Sequence, residues 1–324
     1  MDPDEVSLLN GAVAGLVDSA GAGELTAALD AFGWLEVLRA HPHAAIPAVF
    51  GAQGRSGKWS AALQDVVAAN LWDIGIEGAA NVVLPRRNDV APGRWRGEVL
   101  EVNGLLLGPR SETSTLVIGA GERRAVTSVI TVAPEVLQVE LRRGLDPFLG
   151  IHAVWGAIER VTVVAEGSVA LAWWETAQAR ARLALCHQIV AALFVMVELA
   201  QAHVSERAQF GRLVGTFQAV RHKLVEAYVA ATAAGCSAEA AWEADDLPLA
   251  AATAKVVAGQ AVAVAAAHTQ QLLAGIGFTS DYPYHHFMKR AVVLERVLGS
   301  GTELAPNLGH LLMERGEAPR LVEL

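Results

Sequence analysis

Lysine and charge are both scarce in this 324-residue sequence, in which charged residues make up 18%. The formal net charge of −9 and an isoelectric point near 5.6 argue against a protein that binds the nucleic-acid backbone. The few lysines are Lys58, Lys223, Lys255 and Lys289. Hydrophobic residues make up 53% of the chain, enough to bury a sizeable core, which excludes a disordered polypeptide.

Cysteine is rarer still. Cys186 and Cys236 have neither CxxC spacing nor the accompanying histidines of a zinc site, so the sequence predicts no metal centre. Each lies in an apolar helical segment, and we interpret both as small buried side chains in a reducing cytoplasm.

Long uncharged runs and a basic leader are also missing. The most apolar stretch, residues 183–200, contains His187, Gln188 and Glu198, and falls short of the ~20 uncharged residues that a membrane span requires. The chain opens Met1-Asp-Pro-Asp-Glu5, which is acidic where a secretory signal would be basic. We therefore predict a cytoplasmic protein with no membrane span and no nucleic-acid partner.

Hydrophobic periodicity divides the chain into three parts. Residues 1–78 show the pattern of short helices, residues 79–168 that of short strands, and residues 169–324 that of long helices. The predicted fold class is α+β and mostly α: an N-terminal helical domain, a small middle β domain and a C-terminal helical bundle. In the first part, His41-Pro-His43 and Gly51-Ala-Gln-Gly54 are expected to interrupt the helices.

The predicted long helices are Ala172–Val204, Thr216–Ala234, Ala238–Leu273, Tyr284–Leu298 and Glu303–Arg315. The third is expected to break near Asp246-Leu-Pro248. In the middle part, Asn103-Gly104 lies between two apolar runs and predicts a β-hairpin turn. The predicted strands are Val82–Leu84, Glu98–Val102, Leu105–Leu107, Ser114–Ile118, Ala125–Val132, Val136–Leu141 and Arg160–Val164.

A dense motif, Arg207-Ala-Gln-Phe-Gly-Arg-Leu-Val-Gly-Thr-Phe-Gln218, joins two of the long helices. It closely resembles the R-x-Q-F-G-x-x-x-G-x-F-Q signature of the acyl-CoA dehydrogenase family, in which this corner reaches the FAD of a neighbouring subunit. The resemblance implies that the cofactor is bound by Arg207, Gln209, Phe210, Phe217 and Gln218. From the residues alone, an exposed arginine beside core-filling phenylalanines is the simpler alternative.

A second segment, Gln271-Leu-Leu-Ala-Gly-Ile-Gly-Phe278, resembles the family's Q-x-x-G-G-x-G-F stretch. The resemblance implies Gln271 and Gly275 as further FAD-binding residues, since glycine lets a backbone approach a dinucleotide closely. Ala274 replaces the first glycine. The two motifs and the helices between them cover roughly residues 172–300. The likeness of the first part is looser, because that domain is abridged relative to the family's.

The family's catalytic base is the feature that the sequence lacks. Acyl-CoA dehydrogenases remove the α-proton of a thioester with a glutamate while the flavin accepts the β-hydride. The position that most members use falls on Leu298, or on Gly299 with one insertion, and the position of a minority falls on Ala181. None of the three can take a proton, so no catalytic residue is predicted. A base relocated to a nearby carboxylate is the alternative: Glu175, Glu295 or Glu303.

The middle part lacks the family's T-E-x-x-G-S-D flavin loop and keeps only faint echoes in Trp95 and Thr115. The combination resembles the short non-catalytic subunits of actinobacterial steroid-type α2β2 acyl-CoA dehydrogenases, which share FAD at a subunit interface. That resemblance implies a full-length catalytic partner subunit, a steroid side-chain or other bulky acyl-CoA as substrate, and an electron-transfer flavoprotein as acceptor. A self-sufficient homotetrameric dehydrogenase and a flavin-free scaffold are the alternatives.

Four pairs of neighbouring residues are lesser candidates. The neighbours His285-His286 are expected to point apart on one helix and to be structural or interfacial. Arg86-Arg87 and Arg123-Arg124 are interpreted as solvated loop pairs, with a CoA-phosphate contact as the alternative. Trp173-Trp174 is expected to pack in the bundle, or else to line a pocket or an interface.

Overall fold

The computed structural model describes residues 1–21, 23–69, 71, 80–87, 89–108, 115–121 and 125–316. Within these ranges the chain is mostly helical with a single large sheet, and the predicted fold class is confirmed. The helices are α1 Pro3–Ser19, α2 Leu25–Phe32, α3 Trp34–Ala40, α4 Pro42–Ser56, α5 Ala62–Ala68, α6 Gly167–Glu206, α7 Gln218–Ala240, α8 Leu247–Leu273, α9 Tyr284–Arg296 and α10 Gly301–Arg315.

The break predicted near Asp246-Leu-Pro248 is confirmed, but the gap predicted between Ala234 and Ala238 is wrong, because α7 runs through it. The helix ends at Ala240, a short 3-10 turn follows, and α8 starts afresh with Asp246 as its N-cap, whose carboxylate accepts from the Leu249 amide at 3.0 Å. Pro248 lies in the first turn of α8, where a missing amide hydrogen costs nothing.

The sheet has nine described strands, in the order β7-β8-β4-β3-β5-β6-β9, with β1 beside β5 and β2 beside β4. Most neighbours are antiparallel, and only β1–β5 and β3–β5 are parallel. The strands are β1 Asn81–Val82, β2 Leu84–Pro85, β3 Gly93–Arg96, β4 Val99–Leu107, β5 Thr115–Ala120, β6 Val126–Val132, β7 Gln138–Leu141, β8 Ile151–Ile158 and β9 Thr162–Glu166.

The hairpin predicted at Asn103-Gly104 is wrong. Both residues lie inside β4, and the two-residue turn falls instead at Gly97-Glu98, where Gly97 has a φ of +62°. Gly104 is glycine because the β2 backbone passes over it: a Cβ would come within 2.6 Å of the Leu84 carbonyl oxygen. The Asn-Gly pair thus marks a close backbone approach, not a turn.

Two helix interruptions were predicted, at His41-Pro-His43 and at Gly51-Ala-Gln-Gly54. Both are wrong except at His41. His41 ends α3, but Pro42–Ser56 is one helix. Gly54 serves packing, because a Cβ there would overlap the Gln188 carbonyl on α6. The absence of a side chain lets α4 lie directly on α6.

One large core joins the two ends of the chain. The helix α6 contacts α4, α5, α7, α8 and α9, so the N-terminal helices pack on the C-terminal bundle. A smaller core lies within the sheet. Gln64 of α5 ties helices to sheet, accepting from the Val82 amide at 2.7 Å and donating to the Leu107 carbonyl at 3.2 Å.

Two helical spans, Gly167–Glu206 and Leu247–Phe278, are long and apolar enough to cross a membrane by length and composition. Their most apolar 18-residue windows are 72% and 56% buried inside the protein. Core helices meet the same criterion, so length and apolarity alone are weak grounds for a membrane span.

Candidate functional site

The first candidate site begins where α6 ends. A two-stranded hairpin follows, with β10 (Ala208–Gln209) paired to β11 (Arg212–Leu213). Its two turn residues, Phe210 and Gly211, have φ values of +55° and +77°, as a tight two-residue turn requires. Glycine adopts this geometry easily. Phenylalanine does so at a cost, and such strain recurs at functional sites.

Aromatic and cationic groups crowd this hairpin. The Phe210 side chain is 91% exposed and meets Phe217 edge-on, with ring centroids 6.3 Å apart. The Arg212 guanidinium lies 4.0 Å from the Phe217 ring centroid. Arg221 fixes the following turn by donating to the Gly215 and Thr216 carbonyls at 3.1 and 3.0 Å. The hairpin is therefore held in place while its tip faces outward.

A cavity of about 330 Å³ opens beside the hairpin, between the end of α6, the first turns of α7 and the end of α8. Three of the predicted FAD-binding residues line it together: Arg207, Gln209 and Gln271. Sequence reasoning missed two further basic residues in its wall, His203 and Lys223. Helical spacing was the available signal, since His203 lies four residues before Arg207.

The other predicted binding residues surround this cavity without lining it. Phe210 and Phe217 lie on the hairpin side, and the exposed Gln218 makes a 3.4 Å contact with the His222 imidazole. Gly275 is exposed in the 3-10 turn that follows α8. Ala274, which lines the cavity, has φ 49° and ψ −132°, a conformation natural to glycine, which explains why the family motif has glycine there.

A second cavity, of about 500 Å³, lies between the sheet, α6 and the segment joining α9 to α10. Both residues at the commonest base position, Leu298 and Gly299, are in its wall, whereas Ala181 is fully buried on α6. Leu298 and Gly299 have φ values of +58° and +98°, so the turn is strained at its leucine. No proton acceptor stands at any of the three positions.

Two cations, the fully buried Lys255 and the half-buried Arg182, hold this turn through its backbone. The Lys255 ammonium is fully buried and donates to the carbonyls of Leu294, Glu295 and Gly299, and burial lowers its pKa to about 8. The Arg182 guanidinium donates to the Leu298 carbonyl at 3.0 Å, and burial lowers its pKa to about 10. The turn is thereby fixed without any side chain of its own.

Two of the nearby carboxylates are already engaged. Glu303 accepts from the Ser300 amide at 3.0 Å and from Arg87 at 2.6 Å; burial opposes these contacts, which together lower its pKa. Glu295 accepts from the Gly301 amide at 2.8 Å and pairs with Arg296 at 2.9 Å. Both carboxylates therefore hold structural contacts within the fold. Glu175 lines the cavity and is exposed.

The lesser candidates fall in several places. Trp174 is buried, donates to the Val90 carbonyl at 3.3 Å and lines the second cavity, as do Arg86 and Arg87. Trp173 is buried beside it, with ring centroids 6.1 Å apart. Arg123-Arg124 lies outside the described residues.

In the sheet, Trp95 donates to the Ser128 hydroxyl at 3.0 Å and packs on the sheet core, and Thr115 is buried at the start of β5. Neither residue lines either of the two cavities. These two echoes of the family's flavin loop therefore have structural roles.

Two expectations about paired or reactive side chains are wrong. His285 and His286 do not point apart: their ring centroids are 3.9 Å apart, because the His285 Nδ1 is drawn back to the Tyr282 carbonyl at 2.8 Å. The second wrong expectation is that both cysteines are buried. Cys186 is buried, and burial raises the pKa of its thiol to about 12. Cys236 is exposed, because it lies on the outer face of α7, which no described element covers.

Comparison with known proteins identifies the class. Residues 171–303 match the family model of the acyl-CoA dehydrogenase C-terminal domain. The helical bundle is therefore similar to that domain, and solved structures show that the whole chain has the acyl-CoA dehydrogenase fold. A variant of the Tcur3481–Tcur3483 steroid ACAD aligns with a TM-score of 0.80 at 21% identity, over 97% of this chain and 99% of that one. The ChsE4–ChsE5 complex from Mycobacterium tuberculosis aligns with a TM-score of 0.74 at 20% identity, over 99% of each chain.

Two curated relatives are similar to this chain, one over a short stretch and one at lower identity over most of its length. Acyl-CoA dehydrogenase IpdE2 of Mycobacterium tuberculosis is 36% identical over 112 residues, which is 35% of this chain and 35% of the relative. The match thus spans about a third of that relative's length. IpdE2 of Mycolicibacterium smegmatis is 25% identical over 270 residues, covering 72% of this chain and 85% of the relative.

Proposed function

We propose that this chain is a non-catalytic subunit of a heteromeric FAD-dependent acyl-CoA dehydrogenase and donates part of the FAD site to a catalytic partner. One observation carries the proposal: the cavity wall at the family's base position consists of Leu298 and Gly299. Aliphatic groups cannot accept the α-proton of a thioester. Two carboxylates of this region, buried Glu295 and half-buried Glu303, already accept from backbone amides and pair with arginines.

The residues at the hairpin fit the phosphate-bearing part of FAD. Arg207 offers a guanidinium suited to a pyrophosphate, and Gln209 and Gln271 offer directional amides in the same cavity wall. The exposed side chain of Phe210 offers an apolar surface to the partner chain. When bound, FAD accepts a hydride from the β-carbon of an acyl-CoA. This chain's residues hold and orient the dinucleotide and leave proton abstraction to the partner.

An uncovered face of helix α7 supports the proposal that this chain binds a partner chain. Along α7, Val225, Tyr228 and Val229 are each more than half exposed at helical spacing, with Cys236 further along. Near the hairpin end, Phe278 is 78% exposed beside the Gly275 turn. Large exposed apolar surfaces mark interaction sites. The structural neighbours named as the pairs Tcur3481–Tcur3483 and ChsE4–ChsE5 support a heteromer, which we propose as α2β2.

The substrate follows from the same relatives. One structural neighbour is named as a steroid ACAD, and we propose a steroid side-chain or similarly bulky acyl-CoA as substrate of the complex. Electrons then pass from the reduced cofactor to an electron-transfer flavoprotein.

Purification tests the proposal directly. Expressed alone, this chain should be colourless. Co-expressed with the full-length dehydrogenase of its gene neighbourhood, it should elute as a yellow complex of equal stoichiometry that oxidises acyl-CoA. A yellow, active preparation of this chain alone would contradict the proposal.

Arg207→Ala should reduce the FAD content of the co-expressed complex. Losing a charge-assisted phosphate contact costs on the order of 1–3 kcal/mol, so the affinity for FAD should fall about tenfold. Flavin absorbance per complex measures this, and Arg160→Ala, an exposed arginine at the end of β8, is the matched control. Equal flavin content in the two variants would show that Arg207 does not bind the cofactor.

One observation favours a second candidate, a self-sufficient dehydrogenase with a relocated base. Glu175 is exposed and lines the second cavity. Dehydrogenase activity of this chain alone that Glu175→Gln abolishes would select this candidate.

A further inference from the structure

One outer edge of the sheet is open. Among the described strands, β7 has a neighbour on one side only, β8, and all four of its residues are exposed. Unpaired backbone amides and carbonyls at a sheet edge form a template for another strand. At this edge the exposed apolar side chains Val139 and Leu141 alternate with two charges of opposite sign, Glu140 and Arg142.

The hydrogen bonds to β8 determine which residues face outward. The Arg142 amide donates to the Ile151 carbonyl at 2.8 Å, which continues the antiparallel register of β7 and β8. Bonded residues alternate along an antiparallel pair, so Glu140 bonds to β8 as well. The amides and carbonyls of Val139 and Leu141 therefore point to the open edge, where a further strand would meet them.

These constraints select one way for two copies of the edge to pair. Outward-facing residues must oppose outward-facing residues, so the two-fold axis passes through a residue and not between two residues. An axis through Glu140 or Arg142 would place like charges directly opposite each other, which is destabilising. An axis through Val139 would pair Leu141 with the buried Leu137 and would bring no opposite charges together. An axis through Leu141 places Glu140 of each copy opposite Arg142 of the other.

We propose that β7 is an interface between two copies of this chain, which pair antiparallel about Leu141. The two sheets then become one, joined by a pair of hydrogen bonds at Leu141 and by two ion pairs between Glu140 and Arg142. Within one chain these two side chains pair at 2.9 Å, and both are more than half exposed, so the bond contributes little and can be exchanged for the intermolecular one. The inference goes beyond the proposed function, because neither the hairpin nor the α7 face takes part in it.

Sedimentation of the full-length chain over a concentration series tests the charge pairing. Glu140→Lys places a lysine opposite Arg142 twice in the dimer, and should weaken dimer formation at least about tenfold. Adding Arg142→Glu restores opposite charges and should return the affinity to within about threefold. Glu101→Lys, which makes the same change of charge in the exposed Arg96–Glu101 pair elsewhere on the sheet, is the matched control and should leave the affinity unchanged.

Disulfide formation tests the register. In a Cys236→Ser background, which removes the exposed native thiol, Leu141→Cys places two thiols across the axis with Cα atoms about 5.5 Å apart, within reach of a disulfide. Val139→Cys is the matched control in the same strand, because its two copies lie about 13 Å apart. On a non-reducing gel the first variant should form a dimer of this chain, alone and in the co-expressed complex, and the second should not.

Three results would overturn the inference. They are equal cross-linking of the two cysteine variants or none in either, equal weakening of the dimer by the Glu140→Lys single variant and the charge-swapped double variant, and a full-length chain that stays monomeric at about 100 µM. Each leaves the proposed function standing, because the FAD content and activity of the co-expressed complex are measured separately.

Discussion

At the scale of single residues, two of the few lysines act as clamps for helix ends. Lys58 donates to the carbonyls of Val17, Asp18 and Ala20 at 2.8–2.9 Å, at the end of α1. Lys255 does the same at the end of α9 and in the turn beyond it. The last carbonyls of a helix have no partners within it, and a cation also suits the negative end of the helix dipole. A planar guanidinium cannot present three donors from one point.

His187 should make the stability of the protein depend on pH. Burial lowers the pKa of His187 to about 4, and its Nε2 accepts from the Trp242 indole at 3.2 Å, so the ring is neutral in the folded state. The unfolded chain takes up the proton first, at about 6.5. Stability conferred by the neutral ring is therefore present above pH 6.5 and is lost as the pH falls towards 4, by about 3 kcal/mol in all.

The measurement compares urea unfolding at pH 7 and pH 5. His187→Gln keeps an acceptor for Trp242 and cannot be protonated, so the variant should lose less stability between the two pH values than the unsubstituted protein. His310→Gln, at an exposed residue of α10, should lose as much as the unsubstituted protein. Equal losses in all three proteins would show that His187 is not the titrating group.

At the scale of elements, the two segments that border the first cavity both contain strained residues. Phe210 in the hairpin and Ala274 after α8 have positive φ angles, and both are exposed, so no core packing explains them. Strained backbone that persists at one surface is typical of a binding site.

Ala274→Gly should raise the free energy of unfolding by about 1 kcal/mol, because glycine adopts φ 49° and ψ −132° without strain. Ala233→Gly, at an exposed position inside α7, should lower it by about 1 kcal/mol, since there the alanine is in its preferred helical conformation. Thermal unfolding of both variants checks the pair. Destabilisation by both substitutions would mean that Ala274 carries no strain.

The sequence predicts elements well where a local signal decides them. Asp246 and Pro248 mark the start of α8 by capping and by a missing amide hydrogen, and the break was predicted for that reason. The strand Ile151–Ile158 was missed because Ala153, Gly156 and Ala157 interrupt its alternation, and pairing with β4 along its whole length forms it. Non-local pairing leaves no mark on a short window of sequence.

The same limit applies to the candidate sites. The motifs assign Arg207, Gln209 and Gln271 to one site, and the three line one cavity, since a known pattern carries tertiary information. Lys223 and His203 join them only because α6 and α7 fold back on each other. The ion pair between Glu303 and Arg87, which are 216 positions apart in the sequence, could not be predicted for the same reason.

At the scale of the whole molecule, the two cavities differ in what they offer. The first is cationic, with exposed aromatic residues beside it, and suits a dinucleotide presented by another chain. The second has an aliphatic wall at Leu298 and Gly299, the positions that align with the family's usual base. Under the proposed function, this chain binds part of the cofactor, and the partner chain reacts with the substrate.

Anaerobic flavin reduction by an acyl-CoA substrate, followed in the purified complex, tests this division most directly. Replacing the partner's catalytic carboxylate with its amide should slow reduction by at least about a thousandfold, because the α-proton then has no acceptor. Glu175→Gln in this chain should leave the rate unchanged within about twofold. Fast reduction in the first complex and loss of reduction in the second would place the chemistry in this chain and contradict the account.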